Sequence, residues 1–454
     1  MTTQTHGGRP VRSPALATFL SFLWPGLGQF YAGARRAALI FTLPIAVVVL
    51  VVGFQALGGA ERLVVQILTP STALTVLILI GLLGAWRLVS MGDALVSTGR
   101  RGSWRRPVPI ATFVLLSAVV VGAHGTAAGA TWLVYDATRN IFVGAYDPET
   151  RPSPDPSGST ASGVPGGVTQ PSGPTSTAPR SRINILLTGI DSDEGRTHKL
   201  NDTLLVVSID PKTGDIAMIS FPRDLARVPT PGGGTYNGKI NSIMSYAERR
   251  PNEYPQGPMA ALTDEIGFLL GAPIDYYAAV NLDGFKKLID GVGGVTVDVK
   301  QAINDPGYGG WDQPGRIGFT LSKGKHTLDG ETALAYVRTR KGAGDNDFNR
   351  ARRQQDLLLA LQKKLSDPKM LPSLPGIVGA AAATLTTDFP PERLGEMLAI
   401  ALASDEASLR RYVLGPPYAV VAAGESEYIL VPDMTNFARL SISLFGPESR
   451  YASK

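Results

Sequence analysis

Between Tyr336 and Gln355 the chain reads YVRTRKGAGDNDFNRARRQQ, and its side chains are those of an anion site. Arg338, Arg340, Lys341, Arg350, Arg352 and Arg353 stand beside Asp345, Asp347, Gln354 and Gln355. Arg338 and Arg340 are two apart, so on an extended segment both point to one face. Arg350 and Gln354 are four apart and share a face of a helix predicted from the apolar stripe Leu357, Leu358, Leu361 and Leu365. Gly342, Ala343 and Gly344 read as the turn that folds one arginine pair back against the other. A guanidinium is a planar fork of donors matched to phosphate oxygens, and several converging forks call for a ligand with more than one negative charge. A pyrophosphate meets that demand. A charge run is otherwise a solvated helix face with local ion pairs; the shared faces here favour the anion site.

Four further points carry chemistry. Ile183 to Thr188 is a strand ending in Gly189-Ile190-Asp191, and the next strand follows Asn201-Asp202-Thr203. Asp191 and Asp202 at neighbouring strand ends suit Mg²⁺, which takes one or two protein carboxylates and completes its shell with water and phosphate oxygens. They suit turn or cap positions equally well. Arg223 follows a strand in Ser220-Phe221-Pro222-Arg223-Asp224, where it joins the anion site with Asp224 orienting it. Lys239, near a predicted helix start, adds a point charge. The Gly291 to Val295 turn lacks the Lys-Ser/Thr of a phosphate loop.

The elements that must position these residues alternate. Strands are predicted at Ile183–Thr188, Thr203–Ile209, Ile216–Ile219, Tyr276–Val280 and Val295–Val299. Helices are predicted at Gly238–Ala247, Met259–Leu270, Asp283–Asp290, Asp329–Tyr336 and Asp347–Leu365. Helices interleaved with buried strands give an α/β sandwich, a central mixed sheet flanked by helices.

Ahead of this domain the chain is too apolar to be wholly soluble: 44% of its 454 residues are hydrophobic. Residues 1–14 form a short basic tail, and 15–133 an all-α transmembrane region. Spans of about twenty apolar residues are predicted at 37–57, 63–86 and 108–133. Residues 15–31, broken by Pro25-Gly26-Leu27-Gly28, are a re-entrant hairpin or an extra span. Basic clusters at Arg9 and Arg12, at Arg35 and Arg36, and from Arg87 to Arg106 place three crossings with everything after Leu133 outside, if all clusters face the cytoplasm. Residues 134–181 are a stalk and a Pro/Ser/Gly-rich linker, at about 3 Å per residue long enough to hold residues 182–449 tens of ångströms from the membrane. There is no Cys, hence no disulfide framework and no thiol nucleophile. The net charge of +5 is spread over membrane flanks and the arginine cluster. Nucleic acid is not an expected partner, because the cluster would lie outside the cell.

The ordered blocks INILLTGIDS, LNDTLLVVSIDP, ISFPRD, NGKIN, IDYYAAVNLDGFKKLIDGVGGVTVDV, LDGETALAYVRTR and DNDFNRARRQQ resemble the LytR-CpsA-Psr family of cell-wall glycopolymer transferases, over about Arg182 to Leu365. TTDFPPERLGEML and EYILVPD resemble the family's C-terminal portion. The resemblance implies a membrane enzyme whose extracytoplasmic domain takes a polyprenyl-pyrophosphate-linked glycopolymer and passes the glycopolymer phosphate to peptidoglycan. It puts phosphate ligands on Arg223, Arg338, Arg340, Arg350 and Gln354, a Mg²⁺ (or Mn²⁺) pair on Asp191 and Asp202, and further functional positions on Lys239 and Asp347. One departure is Leu200, where the family often carries Arg; Arg196, His198 and Lys199 lie nearby.

Arg338 and Arg340 are then catalytic as well as phosphate-binding, stabilising charge on the transferring group. Asp347 is a candidate general base or the N-cap of the following helix. An isoprenoid needs an apolar receptacle, for which Ile266, Phe268, Leu269, Leu270, Tyr277, Phe285 and Leu288 are candidates, though such spacing equally describes core. Tyr308 and Trp311 are candidates for sugar stacking. A non-catalytic lipid-binding regulator and a lipid pyrophosphatase are the competing readings.

Overall fold

The structure is a computed structural model that describes residues 12–57, 69–99, 102–141, 181–191, 200–309, 317–373, 385–390 and 409–452, with single residues between 377 and 400. The chain divides into two compact units, Met1–Thr138 and Arg139–Lys454.

The first unit is helical: α1 (Pro14–Leu23), α2 (Leu27–Ala32), α3 (Arg35–Leu57), α4 (Pro70–Ser97) and α5 (Pro107–Ile141). Three stretches, Arg35–Gln55, Pro70–Ser97 and Pro107–Arg139, are long and apolar enough to cross a membrane. The second differs from the span read at 63–86. Pro70 opens α4 in its first turn, where a missing N–H costs nothing, and the helix continues through Trp86 to Ser97. Residues 63–68 lie outside the described residues. Helices α1 and α2 meet at Gly26, whose φ of 101° suits glycine. At 1.5 Å per residue α1 covers about 15 Å, half a bilayer core, so neither short helix crosses alone. Buried Gln29 ties the hairpin to α4 by donating to the Ser90 carbonyl at 2.8 Å and to Asp93 at 3.0 Å.

The second unit is built on strands β1 (Ile183–Asp191), β2 (Leu200–Ile209), β3 (Ile216–Ser220), β4 (Ala226–Pro229), β5 (Thr235–Lys239), β6 (Tyr276–Asn281), β7 (Val295–Val299), β8 (Ile303–Gly309), β9 (Ile317–Leu321), β10 (Gly324–Leu328), β11 (Leu385–Thr387), β12 (Leu409–Val413), β13 (Ala419–Val421) and β14 (Leu430–Pro432). Six of them form a mixed sheet in the order β11-β6-β1-β2-β3-β12, parallel at β1/β6 and β3/β12. The helices are α6 (Ile243–Glu248), α7 (Pro258–Leu270), α8 (Leu282–Gly291), α9 (Gly330–Arg338), α10 (Asp347–Leu365) and α11 (Met434–Phe445). Strand alternation sorts the sheet's side chains between two layers. Leu186, Leu204, Val206 and Ile219 enter one core with Leu262, Ile266 and Leu269 of α7 and Phe437 and Leu440 of α11. Leu205 and Met218 enter another, against which Leu187 and Leu358 of α10 pack. The sandwich is therefore as expected from the sequence.

Strand β7 forms at Val295–Val299 as expected, and pairs with β10 outside the main sheet, over a separate core that includes Ala333 and Leu357. One local reading is corrected. The helix read from Gly238 to Ala247 is strand β5, a 3₁₀ turn at Ile240–Ser242 and α6. Pairing of Lys239 with Ala226 holds the segment extended, and Gly238 is a poor helix residue.

Candidate active site

A cavity of about 620 Å³ lies between the second face of the sheet and helices α8, α9 and α10. Leu187, Leu205 and Val280 of the strands, Phe285 and Leu288 of α8, Leu334 and Val337 of α9, and Leu357, Leu358 and Leu361 of α10 line it. So do Asp202, Arg223, Arg338, Arg340, Lys341, Arg350 and Gln354. Along α10 the lining changes from Arg350 and Gln354 to Leu361, about 16 Å at 1.5 Å per residue. The cavity therefore has a guanidinium end and an apolar end.

At the charged end, β1 and β2 fall out of register. Gly189 pairs with Thr203 and Ile190 with Asn201, which leaves Asp202 as the extra residue of a bulge. A bulge re-aims a side chain. Asn201 turns inward and donates to Thr188 Oγ1 at 2.7 Å, while Asp202 lines the cavity and takes Arg223 Nη1 on Oδ1 at 2.6 Å. Burial works against the Asp202 carboxylate, and Arg223, Arg350 and Arg338 overcome it, holding the group below its ordinary range. Arg350 is the mirror case. It is 6% exposed, and burial, offset only partly by Asp347 and aggravated by Arg223, lowers its guanidinium. Five cations line the cavity against the carboxylates of Asp202 and Asp305. A bound polyanion relieves that imbalance.

The turn around Gly342 carries most of those cations. Helix α9 runs on to Arg338, so Arg338 closes a helix where an extended segment was expected. Thr339, buried, leaves the helix with ψ 143°, which still sets Arg338 and Arg340 toward one cavity. Asp305, which sequence reasoning missed, holds this segment: its Oδ2 accepts from Thr339 Oγ1 at 2.6 Å, Lys341 N at 3.1 Å and Arg340 N at 3.4 Å. A Cβ on Gly342 would lie 2.7 Å from the Asn304 carbonyl, so only glycine lets the turn seat there.

Asn346, and not Asp347, caps α10, accepting from Asn349 N at 2.9 Å. Asp347 lies between Arg340 at 3.5 Å and Arg350 at 3.0 Å. Its buried Oδ1 faces Arg350 without an aligned hydrogen bond. Of the remaining basic residues, Arg352 pairs with Asn349 on the exposed face, whereas Arg353 is 8% exposed and structural. It donates to the Tyr336 carbonyl at 2.8 Å and to the Thr339 carbonyl, and pairs with Asp345 at 3.0 Å. Gln355 donates to Ser220 Oγ at 2.8 Å and so joins α10 to the sheet.

Other candidates fall elsewhere. Lys239 stands outside the cavity lining, with its ammonium 2.9 Å from Asp224, which is itself 3.7 Å from Arg223. Asp191 ends β1 opposite Leu200; its side chain, like Arg196, His198, Lys199, Trp311 and residues 142–180, lies outside the described residues. Of the seven receptacle candidates, Phe285 and Leu288 line the cavity. Ile266, Leu269 and Leu270 are fully buried in the opposite core, Tyr277 packs against that core, and Phe268 lies under the Arg450 guanidinium. They sit on the other side of the sheet. Tyr308 lines the cavity and rests on Phe319.

A model of the LytR_cpsA_psr family matches residues 162–412. The chain is 32% identical over 216 residues to the polyisoprenyl-teichoic acid–peptidoglycan teichoic acid transferase TagU of Halalkalibacterium halodurans, spanning 47% of this chain and 64% of that protein. It is 34% identical over 220 residues to TagV of Bacillus subtilis, a protein of the same description, spanning 48% of this chain and 52% of the relative. The matched region thus covers between half and two-thirds of these relatives. The crystal structure of B. subtilis TagV is 28% identical over 59% of this chain and 97% of that one, with a TM-score of 0.46. With its family match spanning more than half of its length, the chain belongs to the LytR_cpsA_psr family.

Proposed function

We propose that residues 182–449 form an extracytoplasmic phosphotransferase, held at the cell membrane by a multi-pass anchor, that moves a glycopolymer phosphate from a polyprenyl-pyrophosphate carrier to a peptidoglycan hydroxyl. The observation that carries this reading is the continuity of a guanidinium-lined end with an apolar interior in one cavity. A pyrophosphate on a long hydrocarbon requires both, and a sugar nucleotide requires only the first.

In this reading Arg223, Arg338, Arg340, Arg350 and Gln354 hold the pyrophosphate, and the apolar end takes the isoprenoid. The acceptor oxygen forms a bond to the phosphorus that bears the glycan. The bond from that phosphorus to the bridging oxygen breaks, polyprenyl phosphate leaves, and the hydroxyl proton passes to Asp347. Arg338 and Arg340 meet the charge that develops on the equatorial oxygens. Lys239 acts at one remove, by fixing Asp224 beside Arg223. Asp202, whose Oδ1 takes Arg223 and whose carboxylate lines the cavity, would with Asp191 hold a Mg²⁺ or Mn²⁺ ion that neutralises phosphate charge when bound.

The test follows polyprenyl phosphate release from a short-chain polyprenyl-pyrophosphoryl sugar, using the full chain in detergent with peptidoglycan oligomers. Release should fall at least about a hundredfold in Arg338→Ala and in chelator. Tight binding of the carrier with no release in wild type would refute transfer and favour a lipid-binding regulator.

A further inference from the structure

Lys341 lines the cavity together with Arg223, Arg338, Arg340 and Arg350, but it stands apart from them in depth. The side chains of Arg350, Arg223 and Arg340 are 7%, 15% and 35% exposed, whereas Lys341 is an exposed residue. Its backbone is nonetheless fixed. Asp305 takes Lys341 N on Oδ2 at 3.1 Å and, on Oδ1 at 3.2 Å, Gly307 N of the β8 segment that also lines the cavity. The ammonium is thus rooted in a rigid turn and carried on a flexible four-carbon stem at the solvent side of the charged end.

The carboxylates around this turn are engaged by other groups. Asp202 pairs with Arg223, Asp347 with Arg340 and Arg350, and Asp345 with Arg353, while Asp305 accepts from backbone N–H groups and the Thr339 hydroxyl. Among the described residues none forms an ion pair with the Lys341 ammonium. Four guanidiniums set against Asp202 and Asp347 leave a surplus that a doubly charged pyrophosphate diester balances. Lys341 is a cation beyond that balance. With the isoprenoid in the apolar end and the pyrophosphate on the guanidiniums, the glycan must leave past the solvent side of the charged end, since a cavity of about 620 Å³ does not enclose a polymer. Lys341 stands on that side. Planar forks suit a pyrophosphate held in one place, and a point charge on a long stem suits an anion whose position varies with the sugar that bears it.

We infer that Lys341 selects for a negative charge, a carboxylate or a phosphate, on the sugar joined to the pyrophosphate, so that the glycopolymer accepted here begins with an acidic sugar; the assignment rests on the carrier reading proposed above. Calorimetric titration of the full chain in detergent gives Kd for geranyl pyrophosphate and for its glucosyl, glucuronyl and 6-phosphoglucosyl diesters. Wild type should bind one of the two acidic diesters about two- to fivefold tighter than the glucosyl one, the range of a solvent-exposed ion pair, and the tighter of the two identifies the acid. Lys341→Met, which leaves the backbone contact to Asp305 in place, should bring that preference close to parity. Lys341→Arg should keep it, and salt at about 1 M should erode it in wild type. Equal wild-type affinity for the glucosyl and both acidic diesters overturns the assignment. So does a loss in Lys341→Met that is as large for geranyl pyrophosphate itself, because Lys341 would then be one more pyrophosphate ligand. A wild type that binds none of the four refutes the carrier reading, and the assignment falls with it.

Discussion

Removing the carboxylate of Asp305 should cost both stability and activity, although no substrate atom need touch it. The side chain is 2% exposed and accepts four hydrogen bonds: three on Oδ2 from Thr339, Lys341 and Arg340, and one on Oδ1 from Gly307 N at 3.2 Å. The Arg340 contact at 3.4 Å is long and contributes little. The Thr339 and Lys341 contacts are charge-assisted and worth about 1.5–3 kcal/mol each, against the cost of keeping a carboxylate from water. Asp305→Ala should therefore lower unfolding free energy by about 3 kcal/mol, tolerable for a domain of ordinary stability. The larger effect is geometric. Without its anchor the Thr339–Lys341 backbone relaxes, Arg338 and Arg340 lose their convergence, and release should fall about tenfold to a hundredfold with the cavity otherwise intact. Thr339→Val, which removes one donor and keeps the backbone contacts, should cost about 1 kcal/mol and far less activity. Burial raises the Asp305 pKa and the hydrogen bonds from Thr339, Lys341, Arg340 and Gly307 bring it below the ordinary value. A depressed carboxyl stabilises above its unfolded pKa of about 3.9 and loses that contribution as pH falls through the folded value, so the gap between wild type and variant should close in acid. Denaturant unfolding and the release assay measure both effects. An unchanged midpoint with unchanged release in Asp305→Ala would refute the argument.

Two further outcomes follow from buried charge. Arg353→Lys should destabilise by about 2 kcal/mol in denaturant unfolding, because an ammonium cannot reach the Tyr336 carbonyl, the Thr339 carbonyl and Asp345 together as the planar fork does. Burial pushes Glu265 up to about 8, with Arg450 opposing, and its Oε1 has no hydrogen-bond partner among the described residues. A group raised above its unfolded pKa loses stability as pH rises toward the folded value, so Glu265→Gln should be more stable than wild type at pH 7–8 and indistinguishable from it near pH 4, as unfolding at each pH will show.

Much of the site was legible because its signals are local. The apolar stripe from Leu357 sets α10, although its cap is Asn346 where Asp347 was the candidate, and helical spacing alone puts Arg350 and Gln354 on one face. Short runs rich in Ile, Val and Leu, bounded by Gly, Asp or Pro, likewise placed β1, β2, β3 and β6. The motif blocks assigned the family before any geometry was known. Less visible were contacts that join distant segments. Asp305 and Thr339 are 34 residues apart, and nothing in INDPGYG marks an acceptor for the arginine turn. Lys239 reads in the sequence as a point charge near a helix start; it ends strand β5, and a lone Lys carries no sign of its partner, which is Asp224.

What the sequence by itself determined is the set of elements and the chemistry of their side chains: apolar helices, an α/β domain, and a guanidinium cluster too dense for a packing segment. Only the tertiary structure decided which apolar face meets a cavity and which meets a core. Ile266 and Leu288 are alike in type and setting, yet α7 covers the packed face of the sheet and α8 the hollow one. It also decided, by a one-residue bulge between β1 and β2, that Asp202 meets the arginines while Asn201 turns inward. Both are choices of register and layer. They follow from which strands pair and which helices cross them, and that is settled by the whole fold, beyond the reach of spacing within any one segment.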